Sequence, residues 1–308
     1  MKSSDSLAVL IYLKGKVHKW KNIAILLGVF SILLSARFIF GGGLSNELVE
    51  GDYIASIKIE GVIFEDDFRS KVLKEVAEDK SIKAVIININ SPGGGIVGSE
   101  ILFDDLRAIA AKKPIVVLMG SLAASGGYMA AIASDYIIAH NGTLTGSIGV
   151  LMESPEVTEL ANKIGVKFNT YKSSPLKGSP SPFEKPNAEV NRVIQESIAD
   201  SYQFFSDLVR ERRGQKINKK LSSTVFDGRV FTGRQALRAG LVDEIGGIDQ
   251  ALSYLGANKI DVKKLSVHEV EIVEQKVNFF DKFFGLLPFF NGAKTANFSQ
   301  EIMAIMPR

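Results

Sequence analysis

The chain contains no cysteine. That excludes disulfides, thiolate metal sites and a cysteine nucleophile, and it leaves the cellular compartment open. Histidine is scarce. Of His18, His140 and His268, only His140 falls inside the expected folded domain, and the sequence supplies no carboxylate to orient it as a Ser-His-Asp triad requires. No set of His, Asp and Glu has the spacing of metal ligands, so neither a metal nor another cofactor is expected. The charge is nearly balanced, with 37 Lys and Arg against 34 Asp and Glu and a net charge of +3, so there is no nucleic-acid signature. A phosphate loop is also missing. The glycine run SPGGG at 91–95 has neither the spacing and lysine of G-x-x-x-x-G-K-[ST] nor the pattern G-x-G-x-x-G.

The N-terminal region sets the expected topology. Lys14, Lys16, Lys19 and Lys21 precede an apolar run at 23–36, which Arg37 interrupts and Phe38, Ile39 and Phe40 extend. At about 1.5 Å per residue, a helix over 23–40 spans ~27 Å, close to the ~30 Å hydrocarbon core. Arg37 lies near the outer end, where its side chain can snorkel. The run exceeds the ~7–15 apolar residues of a signal peptide and has no clean A-x-A site after it, so an uncleaved anchor is favoured over a cleaved leader. The basic flank leaves the N-terminus cytoplasmic and the remainder extracytoplasmic. The expected organisation is a cytoplasmic basic segment at 1–22, an anchor at 23–40, a linker at 41–52, a folded domain at 53–262 and a tail at 263–308. The 308 residues leave room for a full core and for two domains at roughly 150 residues each. The tail crowds eight Phe and Leu residues around Pro288. It is too short to cross a bilayer, which leaves a membrane-surface segment, a contact with a neighbouring subunit, or a helix docked on its own domain.

Within the domain, apolar runs alternate with helical patterns. Strands are expected at 53–59, 84–89, 115–119, 136–139 and 167–171, and helices at 68–77, 97–111, 157–164 and 187–213. The longest of these helices sets Val190, Val193, Ile194, Ile198, Phe204, Phe205, Leu208 and Val209 on one face. Strand, glycine loop and helix occur twice in succession, at SPGGG and at GSLAASGGYMAA (120–131). That alternation predicts an α/β fold with a mainly parallel sheet, whose ligand sites lie beyond the C-terminal strand ends.

Ser125 stands before Gly126 and Gly127 at the second of these junctions. It can be read as a plain helix N-cap. Taken alone that plain reading is favoured, and the alternative is a nucleophile, because free N–H groups at a helix start suit an oxyanion. Without a usable histidine the base would be a lysine, as in Ser-Lys hydrolases. Such a lysine must be neutral, and since free lysine titrates at about 10.4, an apolar cleft has to lower it by roughly 3 units. The polar loop at 172–186 offers Lys172 and Lys177. A neighbouring hydroxyl would hold the neutral amine, and Ser147 in the turn TGSIG is a candidate.

Taken together, SPGGG, MGSLAASGGY (119–128), LTGSIGV (144–150), YKSSPLKGSPSPF (171–183) and FTGRQALRAGLVDEIGG (231–247) resemble the short, single-copy members of the signal peptide peptidase A family. These are membrane-anchored Ser-Lys peptidases of family S49 with a Clp/crotonase-like fold of repeated, superhelically arranged ββα units. The resemblance covers residues 50–255. It implies Ser125 as nucleophile, Lys177 rather than Lys172 as general base, Ser147 as the residue that positions the lysine, and the amides of Gly94 and Gly126 as the oxyanion hole. It further implies a homo-oligomeric ring in which the lysine of one protomer completes the site of its neighbour. The implied reaction is hydrolysis of signal peptides through an acyl-enzyme, in a bacterial cell membrane with the catalytic domain outside the cytoplasm. The chain departs from the family's commoner K-S-G lysine pattern at Ser174 and Pro175. Two alternatives are a crotonase-like acyl-CoA enzyme, which needs no serine nucleophile and has no use for an anchor, and a non-catalytic membrane scaffold of the same fold.

Overall fold

The computed structural model describes residues 20–22, 25–30 and 51–272. The chain divides into two units, Met1–Leu48 and Val49–Arg308. In the first, residues 20–22 and 25–30 are helical and exposed. Most of the expected anchor, the linker up to residue 50 and the tail from 273 onward lie outside the described residues. Among the described residues no helix is long and apolar enough to cross a membrane.

The second unit is an α/β sheet. Its strands are β1 (Tyr53–Ile63), β2 (Ile82–Gly94), β3 (Ile115–Ala124), β4 (Tyr136–Ala139), β5 (Leu144–Gly146), β6 (Val230–Thr232), β7 (Glu244–Ile245) and β8 (Ser266–Val270). They lie in the order β6-β5-β3-β2-β1-β8, with β4 paired to β3 and to β7. Every pair is parallel except β5 with β6, in line with the alternation of strands and helices in the sequence.

Both faces of the central strands are buried, which is why they read as continuous apolar runs rather than alternating ones. On one face, Ala55, Ile57, Val85, Ile87, Val117 and Met119 belong to the main core. That core also takes up residues of α1 (Asp67–Glu78), α2 (Ile96–Ala110), α3 (Gly126–Ala131) and α5 (Ala188–Arg213). On the other face, Ile54, Ala84, Ile86, Val116 and Ile138 pack with Ala251 and Leu255 of α8 (Ile248–Ala257). The remaining helices are α4 (Thr158–Lys163), α6 (Ser222–Val225) and α7 (Gly233–Ala239), with a 3-10 turn at Lys219–Leu221.

Three differences from the sequence reading bear on the site. First, SPGGG is strand rather than loop for most of its length. β2 continues through Gly94, where Gly93 and Gly94 pair with Val62 and Ile63 of β1. Register shifts fall at one level of the sheet, between Glu60 and Val62 in β1 and between Ile89 and Ser91 in β2. At that level Gly61 takes a φ of 72°, and Pro92 has no N–H to give to a ladder. Past this level β3 exchanges neighbours, pairing with β4 through Met119 and with β5 from Leu122 to Ala124. Second, residues 167–171 form no strand and all five are exposed, and among the described residues no strand pairs with them. Third, the sheet runs past residue 262, the expected end of the domain. β8 adds to the open edge of β1 and carries His268 into the fold, so His140 is not the only histidine there.

Candidate active site

β3 delivers Ser125 directly to the start of α3. The residue has φ 54° and ψ −120°, a region that costs a non-glycine residue about 1–3 kcal/mol and persists only where the surroundings enforce it. Two backbone bonds do so: Ser125 N–H donates to the Gly146 carbonyl, and Met129 N–H donates to the Ser125 carbonyl, both at 2.9 Å. The side chain occupies the N-cap position and makes no capping hydrogen bond. Ser125 is half-buried at the head of a helix whose six residues are all buried. The plain N-cap reading therefore does not describe it, since the hydroxyl is left available.

The backbone of β2 packs on this turn with no side chain between. A β-carbon at Gly93 would lie 2.5 Å from the Gly126 nitrogen and 2.9 Å from the Ser125 Cβ. One at Gly126 would lie 2.0 Å from Ser99 Oγ and 3.2 Å from the Gly94 nitrogen, and one at Gly94 would lie 1.9 Å from the Ile63 carbonyl oxygen. The backbones of Gly93, Gly94 and Gly126 are thus packed closely together at the Ser125 turn. Two buried serines that the sequence reading gave no role brace the approach. Ser91 Oγ accepts from Gly93 N–H at 3.0 Å, and Ser99 Oγ donates to the Gly95 carbonyl at 2.8 Å. For Ser99 the available signal was its place four residues after Gly95, the spacing at which a serine bonds back to its own helix.

Ser147 follows the residue that accepts the Ser125 amide. It is half-buried at φ 52°, and its own N–H donates to the Arg229 carbonyl at 2.8 Å. Gly146 before it has φ 80° and no room for a β-carbon, which would fall 2.7 Å from the Phe231 ring.

The two loop lysines part company. Lys172 is mostly buried and ion-paired to Glu184, whose carboxyl the lysine holds below the usual carboxylate range. Lys177 is exposed, and among the described residues its ammonium has no ion pair or hydrogen bond. Ser125, Ser147, Gly94 and Gly126 are brought together within one chain, whereas Lys177 is not joined to them there. His140 lies elsewhere: it is exposed, its N–H donates to Thr143 Oγ1, and its ring neighbours Gly247. His268 bonds to Ser266 and meets the Tyr53 ring edge-on at the β8 edge. Among the described residues no group of three or more His, Asp and Glu could hold a metal ion.

The sheet and the glycine-lined serine define an α/β protein with an uncapped serine at a strand-to-helix turn. A model of peptidase family S49 matches residues 107–262. A protein named signal peptide peptidase SppA from Enterococcus faecium is 40% identical over 190 residues, covering 61% of this chain and 54% of that protein. A protein of Methanocaldococcus jannaschii named as a protease is 34% identical over 256 residues, covering 76% of this chain and 82% of that one. Among solved structures, a membrane-bound stomatin-specific protease aligns over 72% of this chain and 99% of its own at 17% identity and TM-score 0.45. The chain belongs to peptidase family S49, a serine peptidase family. It spans about half the length of the Enterococcus relative.

Proposed function

We propose that the protein is a Ser-Lys peptidase in which Ser125 attacks the scissile carbonyl and the amides of Gly94 and Gly126 stabilise the resulting oxyanion. The observation that carries this reading is the uncapped Ser125 hydroxyl, held at positive φ beside two packed glycine amides. Strain enforced around a side chain with no structural duty is the pattern of a functional residue. Lys177 serves as general base, with Ser147 as its holder. The acyl-enzyme that forms on Ser125 is then hydrolysed by water.

Lys177 would act on the site of a second protomer. Its segment exposes Leu151, Leu160, Ile164, Phe168, Tyr171 and Phe183, with Tyr171 at 94% and Leu151 at 77%. Of these, Phe168 and Phe183 meet ring to ring at 4.2 Å, and so many large apolar side chains exposed in one segment call for a partner. Seating it on a neighbouring chain would strip water from the ammonium, the condition a lysine base requires. The assembly would be a homo-oligomeric ring of the Clp/crotonase-like type. The substrates are peptides, and the name of the Enterococcus relative points to signal peptides left in the membrane after preprotein cleavage. The basic flank and apolar run of the N-terminal segment support a membrane anchor, with the catalytic domain outside the cytoplasm.

The test uses the full chain in detergent and apolar peptide substrates. Ser125→Ala and Lys177→Ala should each lose at least about a thousandfold in kcat, and Lys172→Ala should keep most activity. Mixing the two inactive variants should restore cleavage, because a chain with Ser125 can borrow Lys177 from one that retains it. Full activity in either single variant would sink the dyad, and failure of the mixture alone would place both residues on one chain.

A further inference from the structure

Past α3 the chain ends a helix only six residues long, Gly126–Ala131. The last carbonyls of any helix lack intrahelical partners, and here the residues that follow, Ile132, Ala133 and Ser134, are all buried. Two arginines take their three carbonyls in succession. Arg212 Nε donates to Ile132 O at 2.9 Å and Arg212 Nη2 to Ser134 O at 3.1 Å, while Arg107 Nη1 donates to Ala133 O at 2.9 Å. Burial first, and then the nearby Arg107 guanidinium, hold Arg212 below its usual value, as expected of two cations brought to one buried cluster.

These arginines come from informative places. Arg107 sits in the last turn of α2, the helix that begins two residues after Gly94. Arg212 sits in the last turn of α5, the helix that begins just after the loop carrying Lys177. The third helix, α3, begins immediately after its N-cap residue Ser125. Gly94 and Lys177 therefore precede α2 and α5, Ser125 is the N-cap of α3, and the far ends of these three helices meet at residues 132–134.

We propose that Arg107 and Arg212 are positioning residues for the serine chemistry, clamping 132–134 so that Ser125 and the Gly126 amide are held in place against Gly94. The inference rests on the peptidase reading. A helix of this length carries a shift at its end to its start, since it is only ~9 Å long. The turn at Ser125 is strained and would relax if α3 could move. Both arginines act through α3 and touch no substrate.

The experiment measures kcat and KM of the full-length protein on an apolar peptide, with Ser125→Ala as the floor. Arg107→Met and Arg212→Met should lower kcat by about 10- to 100-fold and leave KM within about twofold, because transition-state alignment is lost while ground-state binding is kept. Arg107→Lys should return to within about threefold of wild type, since one ammonium can serve the single Ala133 carbonyl. Arg212→Lys should recover less, having two carbonyls to serve. Where a Met variant fails to fold, the two Lys variants carry the test through their unequal rescue. A folded Met variant with wild-type kcat, or equal rescue by the two lysines, overturns the clamp. If wild type cleaves no better than Ser125→Ala, the peptidase reading fails instead. The clamp is then read from amide hydrogen exchange at 126–131, which should rise in the arginine variants; unchanged exchange would overturn it.

Discussion

Gly126 has no room for a side chain. Its missing β-carbon would fall 2.0 Å from Ser99 Oγ and 2.9 Å from Ser99 Cβ, and Ser99 is itself buried and bonded to Gly95. Gly126→Ala should therefore destabilise the protein by about 1–3 kcal/mol through overpacking and remove activity beyond that loss. Gly142→Ala, where nothing lies within 4 Å, should leave stability within about 0.5 kcal/mol. Urea titrations of both variants check this. The glycines around Ser125 were conspicuous in the sequence, but their reason was not. They permit backbone-to-backbone contact between β2 and α3, which only the fold reveals. The lysine assignment divided in the same way: as loop residues Lys172 and Lys177 are chemically alike, the motif resemblance alone favours Lys177 in the sequence, and in the fold burial and the ion pair with Glu184 occupy Lys172.

A second prediction at this scale concerns Asp243. Arg213 Nη1 reaches both of its oxygens at 3.0 and 2.8 Å, Lys216 Nζ reaches one at 2.7 Å, and Ile137 N–H donates to the other at 2.9 Å. Burial pushes this carboxyl up, but Arg213, then Lys216 and the Ile137 amide, outweigh it and hold it below the ordinary aspartate range. A folded value lower than the unfolded ~3.9 means stability that is present above that pH and lost as pH falls through the folded value. Asp243→Asn should cost about 3–5 kcal/mol at pH 7, as for one broken partner of a buried pair. The gap to wild type should narrow below pH ~4. Equal gaps in urea at pH 7 and pH 3 would contradict the assignment.

At the scale of elements, α5 was the most legible and also the most instructive. Its periodicity and its polar start are plain in the sequence. Asn187 caps it by accepting from Val190 N–H at 2.9 Å, so Asn187→Ala should cost about 1 kcal/mol by thermal melting. Of the apolar face expected for it, Val190, Phe205 and Val209 are buried. Val193, Ile194 and Ile198 stay half exposed, and after Val190 the buried residues of this helix resume only at Phe205. The segment 167–171 departs from its strand pattern because β propensity is realised only against a partner strand, and among the described residues none pairs with it. SPGGG read as a loop because glycine and proline punctuate sequences, yet in β2 they admit β1 at close range.

At the scale of the whole molecule, composition and spacing sufficed for a mainly parallel α/β sheet, and the candidate serine follows the C-terminal end of β3. Assembly was less accessible, since one sequence records neither how many copies meet nor which faces do so. The exposed apolar residues between 151 and 183 and the unpartnered Lys177 lie in the same stretch. A single change at its most exposed residue, Tyr171→Glu, should therefore reduce both oligomer mass by light scattering and peptidase activity. A monodisperse oligomer of unchanged mass would separate this surface from assembly.

The proposed chemistry turns on Ser125 becoming acylated with help from Lys177. The direct measurement is mass spectrometry of the full chain quenched during turnover of an apolar peptide ester. The predicted result is an acyl group on the fragment containing Ser125 in wild type, none in Ser125→Ala or Lys177→Ala alone, and its return on the Ser125-bearing chains when those two variants are mixed. An adduct that persists in Ser125→Ala, or that forms undiminished in Lys177→Ala, would contradict it.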